Sequence, residues 1–329
     1  MLEAFITTLD PMLMLFSCIA IGYIIKKLGV LPDNSATVLA KLETNVIFPA
    51  LSFVTMGRNC TPDTISTHIV NITLAAVMML IAITIAVGLA PLFVKEKGME
   101  RGVYKYALAF ANSGYVGDPL VLGMFGDAML SYYKLYTFPL TIGIYTWGLN
   151  SLIPKSAGKK NMWKDLLNPS IVGLVLGVIA GLTGAFNILP EFAVDTLDAL
   201  KGCMGPLAMI LAGFTVASYP FKEMITDKKV YIATFLRLIV LPAVLITILF
   251  CIKELANIAF GLNIGNTVLF LCFFAVAAPL GLNTVVFPAA YDGNPKTGAG
   301  MAMISHTLCV ITIPLMYALM TEIFGVPVI

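Results

Sequence analysis

Ten apolar stretches, each about long enough to cross a lipid bilayer, occupy most of this 329-residue sequence. A helix needs about 20 apolar residues to span the hydrocarbon core. Only 12% of the residues are charged, against about 25% in a soluble domain, so too little polar sequence remains to cover a soluble core. We therefore predict an all-α integral membrane protein. Its ten transmembrane spans are expected near residues 8–26, 35–55, 69–94, 104–125, 130–153, 169–188, 196–218, 229–252, 266–290 and 299–323.

Basic residues are distributed unevenly between the two sets of loops that connect these spans. One set holds fourteen Lys and Arg residues. The alternate set holds only Arg58, Lys134, Lys201 and Lys253. Because basic loops stay in the cytoplasm, we expect a multi-pass protein of the cell (inner) membrane with both termini extracytoplasmic. The basic segment 156–168 is then a cytoplasmic linker between two domains, 1–155 and 169–329.

The two halves of the sequence resemble each other. The segment LGVLPDNSATVLAKLETNVIFPALSF, from Leu28, matches FNILPEFAVDTLDALKGCMGPLAMIL, from Phe186. Shorter matches follow in the same order in spans 4 and 9 and in spans 5 and 10. Each half contains five helices, an odd number, so the second half must be inverted in the membrane relative to the first. Inverted repeats are typical of secondary transporters.

Spans 4 and 9 both contain clusters of helix-breaking residues, NSGYVGDP from Asn112 and AAPLGLNT from Ala277. Proline removes a backbone hydrogen bond and glycine loosens the helix, so we predict that each span splits into two half-helices. An ordinary proline kink is the alternative. Free N–H groups at a half-helix start attract anions, and free C=O groups at a half-helix end attract cations. The candidate solute- or ion-binding residues are Asn112, Ser113, Gly114, Asp118, Pro119, Pro279, Gly281, Asn283 and Thr284.

Charged residues inside a predicted span are functional candidates, because a charge near the bilayer centre is costly. Asp118 lies in the span 4 break, where it is a candidate proton carrier, sodium ligand or partner for a cationic solute. In the alternative interpretation its carboxylate caps the following half-helix. Lys41, Glu43 and Arg237 are expected to extend towards the cytoplasmic headgroups, with a role at the site as the alternative. His306 in span 10 is expected to form an interhelical hydrogen bond, with a coupling role as a proton relay as the alternative.

At these residues the sequence resembles the auxin efflux carrier family, whose bacterial members are often described as organic acid permeases. The resemblance extends over the whole chain, and its most specific segment is N-x-G-[FY]-x-G-x-P, from Asn112 to Pro119. It is also carried by KLETNVIFPALSF in span 2, GCMGPLAMILAGFTVA in span 7, and APLGLNTVVFPAAYDGN and SHTLCVITIPL in spans 9 and 10. Asp118 departs from the family pattern, which usually has an apolar residue there.

The resemblance implies an elevator-type transporter fold related to that of bile acid sodium symporters. Helices 1, 2, 6 and 7 would form a scaffold, and helices 3–5 and 8–10 would form a moving transport domain. The broken helices 4 and 9 would cross within that domain. Relatives also imply a homodimer through the scaffold helices. The residues at or near the crossing would be Asn112, Ser113, Gly114, Pro119, Pro279 and Asn283.

These features together predict a secondary active or facilitative transporter of a small organic anion, a carboxylate such as a malate-like acid. No Walker A motif is present; proton symport, sodium symport and uncoupled export remain open. With two histidines and no C-x-x-C pair we expect neither a metal site nor a cofactor, and no basic run suggests nucleic acid. A channel and a transporter-like receptor are the alternatives. An intramembrane aspartyl protease is the least favoured one, because Tyr291-Asp292 and Gly117-Asp118 occur in the wrong order, so we predict that the protein is not an enzyme.

Overall fold

The computed structural model describes residues 2–153, 168–218, 227–281, 283–290 and 296–327. Between short turns and loops, the regular secondary structure of these ranges is helical, and one isolated β-bridge accompanies it. The predicted linker lies outside the described residues except for Asn168, and so do Tyr291 and Asp292. The helices are α1 (Leu2–Lys27), α2 (Ser35–Asn59), α3 (Ile65–Phe93), α4 (Met99–Ala109), α5 (Asp118–Gly143), α6 (Pro169–Thr183), α7 (Glu191–Ala217), α8 (Lys228–Phe260), α9 (Thr267–Ala277), α10 (Asn283–Ala290) and α11 (Lys296–Phe324).

Six of the described helices, α1, α2, α3, α7, α8 and α11, are long and apolar enough to cross a membrane. Two shorter apolar helices, α6 and α9, accompany them. Large apolar side chains such as Leu92 and Ile258 are mostly exposed on the outer surface. Since an extensive exposed apolar surface is stable in lipid rather than in water, the prediction of an all-α membrane protein is confirmed at this level.

Several helices contain or adjoin a π-helical turn, in which one extra residue changes the face that the following side chains occupy. α2 contains Glu43–Ile47, α8 contains Leu236–Val240, and Ser113–Gly117 precedes α5. After α5 the chain continues through Ile144–Gly148 to a last helical turn, Leu149–Leu152. Such turns occur frequently at functional sites, and the first three contain or adjoin the polar groups of the candidate site.

α5 turns sharply at Gly126. This residue has φ 77° and ψ −171°, a conformation that is accessible to glycine and costly for residues with a Cβ. The helical segments on either side, 118–125 and 127–143, therefore run in different directions. The turn coincides with the boundary that the sequence places between spans 4 and 5.

α1 packs along α7, and α2 packs along α6. The α1–α7 contact depends on a close backbone approach, because a Cβ on Gly213 of α7 would lie 1.9 Å from the carbonyl oxygen of Ile19 in α1. Small residues at helix interfaces permit such contacts in membranes. α7 also contacts α2, so these four helices form one group.

A second group of helices surrounds α9, whose residues from Val268 to Ala277 are all buried. α9 contacts α5 and α8, and α3 packs against α4 and α5. The rings of Phe270 and Phe274 pack against Tyr317 of α11. α1 and α11 are in contact between the two groups. The carboxyl ends of α4 and α9 therefore lie inside the protein, where the interrupted backbone is enclosed.

Candidate functional site

The two interrupted helices meet at their breaks. α4 and α9 each end in a segment of extended backbone. The N–H of Asn112 donates to the carbonyl oxygen of Pro279 over 2.8 Å, and Ala111 pairs with Leu280 in an antiparallel bridge. Both helices are thus interrupted rather than bent at a proline. Irregular backbone is tolerated at membrane depth where protein encloses it. Here the backbone of one break forms a hydrogen bond with the backbone of the other.

Polar groups at the first break, the segment between α4 and α5, are buried and only partly satisfied. Asn112 is 4% exposed. Its Oδ1 accepts from the N–H of Tyr115 at 3.3 Å, whereas its Nδ2 has no hydrogen-bond partner among the described residues. The Oη of Tyr133 lies 3.0 Å from the carbonyl oxygen of Ser113 and 3.2 Å from that of Phe274. Tyr133 therefore ties this break to α9, and the Asn112 amide retains a free donor.

Asp118, the charged candidate at the first break, forms a buried ion pair. Its Oδ2 accepts from the Nζ of Lys134 over 2.8 Å, and the two side chains are 1% and 10% exposed. Its Oδ1 has no hydrogen-bond partner in the described ranges, and α5 has no side-chain cap at its start. The carboxylate therefore pairs with Lys134 and does not cap the start of α5. Lys134, which the sequence assigns to an extracytoplasmic loop, is instead a buried residue of α5.

The second break, the segment between α9 and α10, is fixed by hydroxyl groups from two neighbouring helices. The Nδ2 of Asn283 donates to the Oη of Tyr106 in α4 over 2.8 Å. The N–H of Leu280 donates to the Oγ of Ser305 in α11 over 3.0 Å. Within the break, the Oγ1 of Thr284 donates to the carbonyl oxygen of Gly281 over 2.9 Å. The start of α10 is therefore connected to both α4 and α11.

The residues predicted for the site all lie in the two breaks or in the first helical turn after them. The bond from Asn112 to Pro279 brings the two sets together. Sequence reasoning missed Tyr106, Tyr133 and Ser305, which hold the breaks in place. Their contacts join separate spans, so no local pattern identifies them; their only signal is a polar group inside an apolar stretch.

The titratable groups near the crossing are not arranged as a metal site: within the described ranges no three His, Cys, Asp or Glu side chains could share an ion. His306 of α11 is 4% exposed. Its Nδ1 lies 2.7 Å from the carbonyl oxygen of Ala302 in the same helix, so the bond is not the interhelical one that the sequence predicts. His306 lines a small apolar cavity together with Val116, which follows the first break.

Two further charged residues are buried where the sequence predicts that they reach the headgroups. Glu43 is fully buried, Arg237 is 2% exposed, and Lys41 is exposed. Neither carboxylate oxygen of Glu43 and none of the three guanidinium nitrogens of Arg237 has a hydrogen-bond partner in the part of the chain described. Each of these two lies in a π-helical turn. The predicted extension to the headgroups is therefore wrong for Glu43 and Arg237.

Comparison with known proteins agrees with the helical architecture. The chain matches the model of a family described as membrane transport protein over residues 7–162 and 153–317. It is 27% identical over 317 residues to an uncharacterised transporter of Methanothermobacter thermautotrophicus, a match that covers 94% of this chain and 98% of the relative. It is 25% identical over 312 residues to an uncharacterised transporter of Methanocaldococcus jannaschii, covering 93% of this chain and 97% of the relative. The chain thus belongs to the membrane transport protein family, the family of the auxin efflux carriers, and is a multi-pass membrane transporter rather than an enzyme.

Proposed function

We propose that this protein is a secondary transporter of a small organic anion, a carboxylate such as a malate-like acid, which binds where the two breaks cross. The observation that carries the proposal is the hydrogen bond from Asn112 to Pro279, which joins two helix interruptions inside the protein. Discontinuous helices of this kind form the solute sites of many secondary transporters. The unpartnered amide donor of Asn112 among the described residues, and the positive end of α10 at Asn283, both favour an anion.

We further propose ten membrane spans in two inverted halves, 1–155 and 169–329. In support, α4 with segment 113–125 corresponds to span 4, and α9 with α10 corresponds to span 9. Each break then lies in the fourth span of its half. The excess of Lys and Arg in one set of loops supports extracytoplasmic termini in the cell (inner) membrane.

An elevator mechanism is supported by the way the helices are grouped. The proposed scaffold of α1, α2, α6 and α7 is connected by contacts of α1 with α7 and of α2 with α6 and α7. The proposed moving domain contains α3–α5 and α8–α11, in which α3 packs on α4 and α5 and α8 packs on α9. The moving domain would carry the solute at the crossing past the scaffold, and the scaffold would also form the interface of a homodimer.

Coupling to a proton or sodium gradient is proposed to act through Asp118. Its Oδ2 is held by Lys134, and its Oδ1 has no hydrogen-bond partner among the residues that the structure describes. A proton or Na⁺ arriving at this carboxylate would compete with Lys134, so ion binding would change the contacts of the first break. His306, whose Nε2 is unpartnered within the same ranges, is the second candidate. Facilitative transport is the alternative without an ion.

Uptake into proteoliposomes tests the proposal, with labelled mono- and dicarboxylates and imposed proton or sodium gradients. We expect saturable uptake of at least one carboxylate. Asn112→Ala should reduce uptake at low substrate about tenfold, because it removes a hydrogen bond to the solute worth about 1.4 kcal/mol. If Asp118 couples transport, Asp118→Asn should abolish the dependence on the gradient.

Thr73→Val is the matched control, because this exposed hydroxyl in α3 donates to the carbonyl oxygen of Ile69, far along the chain from either break. It should transport like the wild type. Transport of no carboxylate in the panel would overturn the substrate class. A flux that does not saturate, and is not accelerated by carboxylate on the opposite side, would instead identify a channel.

A further inference from the structure

Arg237 is a buried cation for which the described part of the chain supplies no hydrogen-bond partner. It lies in the π-helical turn of α8, is 2% exposed, and none of its three guanidinium nitrogens has a hydrogen-bond partner in the described ranges. A guanidinium remains protonated in proteins, so it cannot escape this situation by losing its charge. An uncompensated buried ion is strongly unfavourable. Such a cation therefore calls for an anionic partner from outside the described residues.

Other buried cations of the described chain do have partners. Lys134 is paired with Asp118, and Lys253 is paired with Glu254 at 2.6 Å and donates to the Oδ1 of Asn266 over 2.8 Å. The partly exposed Arg58 and Lys201 share Asp127 and Asp198 at the outer edge of the helices. Against this background Arg237 is exceptional, and its position in the fold decides what its charge can contact.

The elements around Arg237 include α9, which leads into the second break, and α4 and α11, whose side chains hold that break. The turn Leu236–Val240 contacts α4, α9 and α11. Arg237 interacts electrostatically with Tyr106, and the Oη of Tyr106 accepts the hydrogen bond from Asn283 at the start of α10. The guanidinium therefore lies on the side of the crossing where Asn283, Gly281 and Thr284 are placed. No acidic residue occurs between 266 and 290.

We propose that Arg237 binds the anionic group of the transported solute at the second break, with two parallel N–H donors facing a carboxylate. A guanidinium matches this geometry, because its donors form a planar fork that fits two oxygens of one carboxylate. The hydrogen bond between Asn283 and Tyr106 fixes the polar groups nearby, and the solute supplies a negative charge that the described residues do not place beside Arg237. This inference rests on the proposed function and names the residue that gives it anion selectivity.

Thermal unfolding of the purified protein in detergent, with and without succinate as the probe, tests the site without transport. A ligand that binds only the folded state raises the Tm, so we expect a succinate-dependent increase for the wild type. Arg237→Met should abolish that increase. Its unliganded Tm should equal or exceed the wild-type value, because removing a charge without a partner leaves no other group unsatisfied.

Lys253→Met is the matched control, since it removes a buried cation that has partners. Its Tm without succinate should fall, because Asn266 and Glu254 each lose their contact with Lys253. The succinate-dependent increase in Tm should persist. The opposite pattern, in which Arg237→Met lowers the Tm like Lys253→Met and keeps the succinate response, would show a structural role for Arg237 and overturn the proposal.

Uptake by the same variants in proteoliposomes completes the test. Arg237→Met should reduce kcat/KM for carboxylate uptake about a hundredfold or more, and Arg237→Lys, which keeps the charge but loses the fork, should reduce it less. Wild-type uptake that is unchanged in Arg237→Met would overturn the role of Arg237 and leave the proposed function intact. If the wild type transports no carboxylate, the proposed function fails, and the Tm assay with succinate, sulfate and phosphate decides the anion site alone. If none of these three anions changes the Tm, the proposed anion site at Arg237 is overturned as well.

Discussion

One of the two helix breaks lies before Asp118 and the other before Asn283, and the charges beside them are compensated differently. At the first break Asp118 and Lys134 neutralise each other over 2.8 Å inside the protein. The second break contains no charged residue in its sequence from 278 to 290, and Arg237 beside it has no hydrogen-bond partner in the described ranges. The two charges of the first break are therefore balanced by each other, whereas Arg237 beside the second has no such counter-ion among the described residues.

The breaks also differ in how tightly they are packed. A Cβ on Gly117, at the first break, would lie 2.0 Å from the Oη of Tyr133, whereas a Cβ on Gly281, at the second, would lie 3.9 Å from the nearest atom of Tyr106. At Gly117 the first break therefore has no room for a methyl group, whereas Gly281, like Gly114 of the first break, would accept one with ordinary contacts. We therefore propose that the first break mainly holds the crossing in shape, and that the charged group of the solute binds at the second.

Separating Asp118 from Lys134 should have the largest effect on stability. Lys134→Met leaves the Asp118 carboxylate, which is 1% exposed, without its counter-ion. Removing one partner of a buried ion pair costs about 3–5 kcal/mol, because the other charge is left uncompensated. We expect a large fall in the Tm of the detergent-purified protein, or loss of folded protein on expression.

The double variant Asp118→Asn/Lys134→Met distinguishes a lost pair from a damaged helix. Replacing both members of a buried ion pair by uncharged groups is often neutral, so the double variant should recover most of the stability that Lys134→Met loses. A double variant no more stable than Lys134→Met would contradict the view that the first break is closed by this pair. Restored stability without restored gradient dependence in the uptake assay would separate coupling from folding.

The sequence predicts the breaks because the cause is local. Proline and glycine disturb the helix in which they occur, so Asn112–Pro119 and the segment around Pro279 can be recognised without any knowledge of their neighbours. The turn at Gly126 likewise falls where the apolar pattern separates two spans. The meeting of the two breaks, in contrast, joins residues more than 160 positions apart, and it was expected only from the family resemblance.

The partners of charged side chains could not be predicted, because they depend on how the helices pack. Lys134 lies four residues inside predicted span 5, and counting basic residues assigns it to a loop, although it reaches back to Asp118 in the preceding span. Glu43 and Arg237 lie about two turns inside their helices, where side chains often extend to the headgroups. A π-helical turn changes which face such a residue occupies, and both residues lie in one.

Adding a methyl group at each break tests the difference in packing. The expected loss of stability is smaller than that from breaking the ion pair and larger than that from removing one hydroxyl group. Gly117→Ala should force Tyr133 to move, and overpacking of a buried site costs about 1–3 kcal/mol. Gly281→Ala should cost little, because its Cβ would make an ordinary contact. The Tm values of the two variants, measured side by side in detergent, check this order. Equal losses would contradict the view that the second break is the more spacious one.

The smallest predicted effects come from removing single hydroxyl groups. At the first break such a change should affect mainly the Tm, and at the second mainly the KM for carboxylate uptake. Tyr133→Phe removes the hydroxyl that reaches the carbonyl oxygens of Ser113 and Phe274. A lost buried hydrogen bond costs about 1 kcal/mol, so the Tm should fall slightly while the KM for carboxylate uptake stays the same. Tyr106→Phe leaves the Asn283 amide without its acceptor.

Tyr106→Phe should raise the KM more than it lowers the Tm, because Tyr106 holds the Asn283 amide at the site proposed for the solute. Tyr104→Phe is the matched control, since the buried Tyr104 hydroxyl has no hydrogen-bond partner among the described residues. Its removal should leave both quantities unchanged. A KM raised equally by Tyr133→Phe and Tyr106→Phe would show that Tyr133 affects the solute as much as Tyr106 does, and the distinction between a closed and a ligand-binding break would then be wrong.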